Sequence, residues 1–365
     1  MRIAVPRERA PRESRVALVP ESVGKLVKSG SSVTIERDAG LAAGFPDAQY
    51  TAAGATIAAD LAATFSEADL VCQIQPPEPG EVPSLPSGVA VVSYWQPGGT
   101  PEALAALSAK NVRMLALERV PRITRAQSMD VLSSQATVSG YKAVLLGASA
   151  LPKMLPMLST AAGTLAPAKV FVIGAGVAGL QAIATARRLG GLVTAFDVRA
   201  AAQEQIKSLG ATPLIIDLGG DAEGGGGYAK AQSEDQARLT QEGIAKHIAG
   251  VDLVITTAAI PGKRAPILIT KSAVQGMKTG SVIVDLASET GGNCEFTKPG
   301  ETVDVAGVQV IGPLGLPSTA AFHASQMLSR NILTFVTHIT KDNALNIDAS
   351  DEITGAMLVK PEVTP

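Results

Sequence analysis

KVFVIGAGVAGLQAIATARRLGGLVTAFDVR, residues 169–199, decides the fold. A short β-branched run, Lys169 to Ile173, suits a buried parallel strand, and Val177 to Leu189 carries Ala, Leu and Arg with apolar spacing of three and four, a helical period. Between them lie Gly174, Gly176 and Gly179. A missing Cβ permits the tight turn at the first, backbone approach to a pyrophosphate at the second, and close packing of helix on strand at the third. The helix N-terminus offers unpaired N–H groups and the positive end of its dipole to an anion. Asp197 ends the next strand about 20 residues on, where a carboxylate accepts hydrogen bonds from an adenosine ribose. These features together predict a dinucleotide site made by Gly174, Ala175, Gly176, Val177, Ala178 and Gly179 with Asp197, Val198 and Arg199. Asp197 favours NAD(H), because a 2′-phosphate would meet like charge there; Arg199 is a cation that blunts the preference.

Working outward, strands are expected near Val193 to Val198, Pro213 to Asp217, Asp252 to Thr257, Val282 to Leu286 and Val308 to Gly312, alternating with helices. That alternation implies an α/β chain with a doubly wound parallel sheet. Upstream, Arg2 to Val5, Ser32 to Glu36, Leu70 to Gln75, Val89 to Tyr94 and Met114 to Leu117 form a second Rossmann-like set. A helix over Ser134 to Met157, broken by Pro152 and Pro156, bridges the two. The periodic segment Ala320 to Ile339, with Phe322, Leu328, Ile332, Phe335 and Val336 on one stripe, is expected to return and complete the first domain. The nucleotide domain, 134–319, is thus inserted in a first domain made of 1–133 and 320–365.

Composition narrows the function. The 365 residues carry a net charge of -2 and only 3% aromatics, so neither a basic patch nor interleaved aromatics points to nucleic acid. No signal-peptide core and no run of 18 apolar residues is present, which excludes direct membrane insertion and predicts a soluble, cytoplasmic chain. Cys72 and Cys294 lack metal-ligand spacing, so no metal site is expected. Only three histidines occur, at 247, 323 and 338.

Three further segments are candidates to line or cover the expected cleft. Thr256, Thr257 and Ala258 end a strand that lines the switch-point crevice and are expected on the nicotinamide side. Asp285 and Glu289 could edge the cleft, but turn or helix capping is the stronger reading. The glycine-rich stretch Asp217 to Gln232 is expected to act as a lid, with Tyr228 folding over the cofactor.

PRERAPRESRVALVP near the N-terminus, with Glu13 and Arg15, and the GAGVAG turn together resemble the superfamily of alanine dehydrogenases and proton-translocating nicotinamide nucleotide transhydrogenases. ERVPRITRAQSMDVLSSQATVSGYKAV resembles the transhydrogenases closely, and the likeness runs over nearly the whole chain. The dehydrogenase branch's catalytic Lys and His are replaced here by Gln75 and Gln96. Amino-acid oxidation needs a group titrating near neutral pH, whereas hydride transfer between two nicotinamides needs no proton. The resemblance implies that Arg122, Gln127, Asp130 and Ser133 form the catalytic loop contacting the nicotinamide and its ribose. The same residues would also serve as an ordinary polar helix start. It further implies an NAD(H)-binding subunit that hands hydride to NADP(H) on a partner subunit, coupled to proton movement. The membrane-spanning and NADP(H)-binding components would come from separate polypeptides, with this subunit a homodimer held peripherally at the inner membrane. A stand-alone alanine- or saccharopine-type dehydrogenase and an NAD-sensing module are the alternatives.

Overall fold

The computed structural model describes residues 1–95, 101–219, 233–259 and 263–359. Gln96 and Tyr228, and with Tyr228 most of the expected lid, lie outside the described residues. The chain divides into two compact units, Met1–Gln135 with Pro317–Pro365, and Ala136–Leu316.

The first unit is built on a six-stranded sheet: β1 (Arg2–Val5), β2 (Ser32–Glu36), β3 (Thr56–Ala58), β4 (Leu70–Cys72), β5 (Ala90–Ser93) and β6 (Arg113–Ala116). Its order is β3-β2-β1-β4-β5-β6, all parallel, with the reversal of winding between β1 and β4. Ile3 and Val5 face one buried cluster and Ala4 the other, the period of two that a strand covered on both faces requires. The helix Ala321–His338 completes this unit. Leu328, Ile332, Phe335 and Val336 are buried in its core, while Ser325 and Ser329 accept the N–H groups of Val16 (3.0 Å) and Val19 (2.9 Å). Phe322 departs from the expected stripe: it is 44% exposed and stacks on Phe45 at 4.7 Å between ring centroids. One helical turn before Ser325, the stripe has already reached the edge of the core.

The second unit carries β7 (Lys169–Ile173), β8 (Leu192–Phe196), β9 (Thr212–Pro213), β10 (Leu253–Thr256), β11 (Val282–Asp285), β12 (Thr302–Val305) and β13 (Val308–Ile311). The order is β9-β8-β7-β10-β11-β13-β12, parallel except for the antiparallel edge strand β12. Val170 and Val172 pack in one buried cluster and Phe171 and Ile173 in the other; Leu253 and Ile255 against Val254 repeat the pattern. Both units are therefore doubly wound, Rossmann-like α/β sheets.

The helix Val131–Ala150 starts three residues earlier and stops seven earlier than its sequence pattern suggested. Pro152 and Pro156 lie beyond its end, and the chain then makes a short hairpin, Leu158–Thr160 with Gly163–Leu165. Strands β3 and β12 also escaped the sequence reading. Both are three- or four-residue edge strands with exposed positions, so neither shows a continuous apolar run.

Candidate functional site

The glycine turn sits at the carboxyl end of β7, beside the switch between β7 and β10, where an open parallel sheet leaves a crevice. Gly174 has φ +95°, and an added Cβ would meet the Thr257 hydroxyl at 2.5 Å. At Gly179 a Cβ would collide with the carbonyl oxygen of Gly174, so the helix Val177–Arg188 rests directly on the turn. Gly140 allows the same closeness behind it, since a Cβ there would run into the carbonyl oxygen of Ala178.

Gly176 differs. Its φ of -77° suits any residue, and an added Cβ would meet nothing within 4 Å. The protein's own packing does not need glycine there, and the backbone is left open. Beyond it the first-turn N–H groups of the helix have no partner within the helix. Ala175 is buried behind the turn, whereas Val177 is 41% exposed and Ala178 partly so. These residues fit the diphosphate of a dinucleotide.

Asp197 follows β8 and turns back toward the glycine turn. Its Oδ2 accepts the Ala175 N–H at 2.7 Å, and its Oδ1 accepts the Arg199 N–H at 2.9 Å. The Arg199 guanidinium closes on it as a fork, Nε to Oδ1 and Nη2 to Oδ2, both at 2.8 Å. Burial alone would raise this carboxyl's pKa, but hydrogen bonds from Arg199 and Ala175 outweigh it and hold the group below the usual range. Val198 between them is half-buried.

The end of β10 is fixed from behind. Thr256 is fully buried and donates to Asp285 Oδ1 at 2.8 Å, so its side chain braces the strand end instead of facing the crevice. Thr257 donates to the carbonyl oxygens of Ile173 (3.2 Å) and Gly174 (3.1 Å), which ties β10 to the glycine turn. Ala258 is held at both backbone groups by Asn293, Oδ1 accepting its N–H (3.1 Å) and Nδ2 donating to its carbonyl (2.8 Å). Asp285 also accepts the N–H groups of Ala287, Asn293 and Cys294 and the Thr297 hydroxyl. Its role is the turn-capping one, and Glu289, which takes the Gly315 N–H at 3.0 Å, does the same. Asn293 carries no sequence signal, because its partners are backbone groups 27 and 35 residues away.

In the first unit, the segment Thr124–Met129 is a 3-10 turn anchored by buried Ala126 and Met129 and by Asn331, which donates to the Ser128 carbonyl at 2.8 Å. Gln127 on it and Arg122 just before it are exposed. Asp130 closes the turn and starts the helix, accepting the N–H (2.9 Å) and hydroxyl (2.6 Å) of Ser133. Asp130 and Ser133 thus do act as a helix start, while the Gln127 side chain is exposed.

Behind this turn lies a buried polar cluster. Glu13 and Arg15 pair at 2.6 Å with side chains 4% and 8% exposed. Gln75 and Ser318 donate to Glu13 at 3.0 and 2.5 Å, and Arg15 donates to Gln135 at 2.8 Å. Burial would raise the Glu13 pKa, but Arg15 and the other donors bring it down to about 2. Glu8 accepts the N–H groups of Ile74 and Gln75, yet burial dominates and lifts it to about 8. The three histidines are placed elsewhere: His247 bonds Thr194 at 2.8 Å, His338 bonds Asp351 at 2.9 Å, and His323 sets its edge to Phe322.

Residues 4–139 match the alanine dehydrogenase/PNT N-terminal domain and residues 143–362 the alanine dehydrogenase/PNT C-terminal domain. The chain belongs to the alanine dehydrogenase/PNT family. Within that family it is 47% identical over 350 residues to an NAD(P) transhydrogenase subunit alpha component of Rhodospirillum rubrum, covering 94% of this chain and 91% of that one. A transhydrogenase structure from Sinorhizobium meliloti superposes with a TM-score of 0.88 at 43% identity, covering 98% of both chains. The alanine dehydrogenase of Bacillus subtilis is 33% identical over 81% of this chain and 72% of its own length. The family resemblance read from the motifs, and its transhydrogenase branch, are thereby confirmed.

Proposed function

We propose that this chain is the NAD(H)-binding subunit of a proton-translocating NAD(P) transhydrogenase, and that it presents NADH to NADP⁺ held on a partner subunit for direct hydride transfer. The bare backbone at Gly176, at the start of the helix that follows the glycine turn and open to an approaching ligand, supports the binding half of this reading. The glycine turn and helix N-terminus would hold the diphosphate, Asp197 the adenosine ribose, and the Thr257–Ala258 end the nicotinamide side. Gln127, with Arg122, Asp130 and Ser133, would orient the ring. When bound, the nicotinamide supplies the hydride; the chain's contribution is placement. Reacting carbons roughly 3–3.5 Å apart in a fixed orientation account for most of the rate gain available to such a reaction.

The Glu13–Arg15–Gln75 cluster supports the same reading over amino-acid oxidation. Arg15 already has its carboxylate in Glu13, and Gln75 is a neutral amide that cannot shuttle a proton at neutral pH. We further infer a cytoplasmic subunit, homodimeric, attached to the inner membrane through membrane-spanning partners. Among the described residues no helix is long and apolar enough to cross a membrane.

The test is hydride exchange between NADH and an NADP⁺ analogue with and without an NADP(H)-binding partner subunit. Exchange that needs the partner supports the proposal. Steady NADH oxidation by pyruvate and ammonium with the purified chain would favour a dehydrogenase, and tight NADH binding without exchange a sensor.

A further inference from the structure

Asp197 has no acceptor site left for a ribose. An ionised carboxylate takes about four hydrogen bonds, two per oxygen. Here Oδ1 receives the Arg199 N–H and Nε, and Oδ2 receives the Ala175 N–H and Arg199 Nη2, at 2.7–2.9 Å. The two backbone donors are fixed by the strand end and the glycine turn. The guanidinium fork is the one pair of donors that a side-chain rotation can remove, and it fills one position on each oxygen. That is the pattern a vicinal diol needs: two hydroxyls, each donating to a different carboxylate oxygen.

We propose that Arg199 gates the ribose subsite, occupying the Asp197 oxygens in the ligand-free protein and giving them up to the 2′- and 3′-hydroxyls of the adenosine ribose. This rests on the dinucleotide reading above. The exchange conserves the hydrogen-bond count on the carboxylate, so Asp197 stays ionised and satisfied in both states. The Arg199 side chain is 18% exposed, against 8% for Asp197, so the displaced guanidinium has a way out to solvent. The exchange is also selective. A 2′-phosphate removes one of the two donors and adds negative charge beside the carboxylate, so it cannot take the fork's place. The arginine therefore contributes to the preference for an unphosphorylated ribose by competition, a role that a free cation at that position would reverse.

The experiment is calorimetric titration of the full chain and its Arg199→Gln variant with NADH, ADP-ribose, the 2′-deoxyadenosine analogue of ADP-ribose, and reduced nicotinamide mononucleotide. Removing a competitor multiplies apparent affinity by the inverse of the open fraction, so NADH and ADP-ribose should bind the variant about tenfold more tightly, with the deoxy analogue and the mononucleotide changed by less than about twofold. Unchanged or weaker NADH binding by the variant, or an equal gain for the deoxy analogue, would overturn the gate. A second readout uses the unaltered protein: the ¹⁵N-labelled Nε–H of Arg199 should exchange slowly without ligand and rapidly with saturating ADP-ribose, and protection that persists on saturation overturns it as well. If the unaltered protein fails to bind NADH at all, the dinucleotide reading itself has failed, a result distinct from either of these.

Discussion

Asn293 pairs with both backbone groups of Ala258, at 3.1 and 2.8 Å, and with the Pro266 carbonyl at 2.9 Å, from a fully buried position. A side-chain amide here does the work of a missing strand: it terminates β10 while holding the segment that leaves it. Asn293→Ala would leave one N–H and two carbonyls, all part-buried, without their partner, so a loss of about 2 kcal/mol in unfolding free energy is expected, read from urea denaturation. A loss under about 1 kcal/mol would show that water replaces the amide and that the segment is not held by it.

The three glycines of the turn should separate by function. Gly179→Ala places a methyl on the Gly174 carbonyl and should lower both thermal stability and NADH affinity. Gly176→Ala meets nothing in the protein and should leave the melting temperature within about 2 °C while weakening NADH at least about tenfold. Thermal melts and titrations on the two variants check this, and retained NADH affinity in Gly176→Ala would remove the ligand from in front of that residue.

Stability should fall on both sides of a maximum because two buried carboxyls are shifted in opposite directions. Glu8, raised from 4.5 to about 8, keeps its proton in the folded chain after the unfolded chain has lost it, so stability declines as pH rises from 4.5 through 8. Glu13, lowered to about 2, stays ionised in the folded chain while the unfolded one takes up a proton, so stability declines as pH drops from 4.5 toward 2. Urea midpoints measured from about pH 3 to pH 9 should show both limbs, with Glu8→Gln flattening the alkaline one and sparing the acid one. An unchanged alkaline limb in that variant contradicts the assignment to Glu8.

Gln127 faces outward from its turn and makes no side-chain hydrogen bond among the described residues, so shortening it costs the fold little. Gln127→Asn should slow hydride exchange in the reconstituted complex by about tenfold with NADH affinity within about twofold. Lost affinity with normal turnover at saturation would assign Gln127 to binding instead of orientation.

The nucleotide unit was legible because its signal is local: strand, turn, helix and acid follow one another within 31 residues, each set by a short-range rule. The antiparallel edge strand β12 was not, since half its residues face solvent and its register depends on β13. The same divide runs through the site. Asp130 and Ser133 appear in the sequence as both loop residues and a helix start, and only their mutual hydrogen bonds decide that they are at least the latter. Thr256 looked like a crevice residue from its place at a strand end, but strand-end residues alternate faces, and Asp285 on the next strand claims its hydroxyl. Gly140 and Asn293 leave no trace in the chain, because what each touches is distant backbone.

Whether this protein aligns one nicotinamide against another is tested most directly by stereospecific tracing. NADH carrying deuterium at both C4 positions is mixed with an oxidised NADP⁺ analogue, the chain and its partner subunit in deuterium-free water, and the reduced product is examined by mass. Direct transfer predicts that the deuterium appears on the product and none is lost to solvent. Reduced product without the label, or label found in water, would mean that the hydride passes through an exchangeable group and would contradict the account.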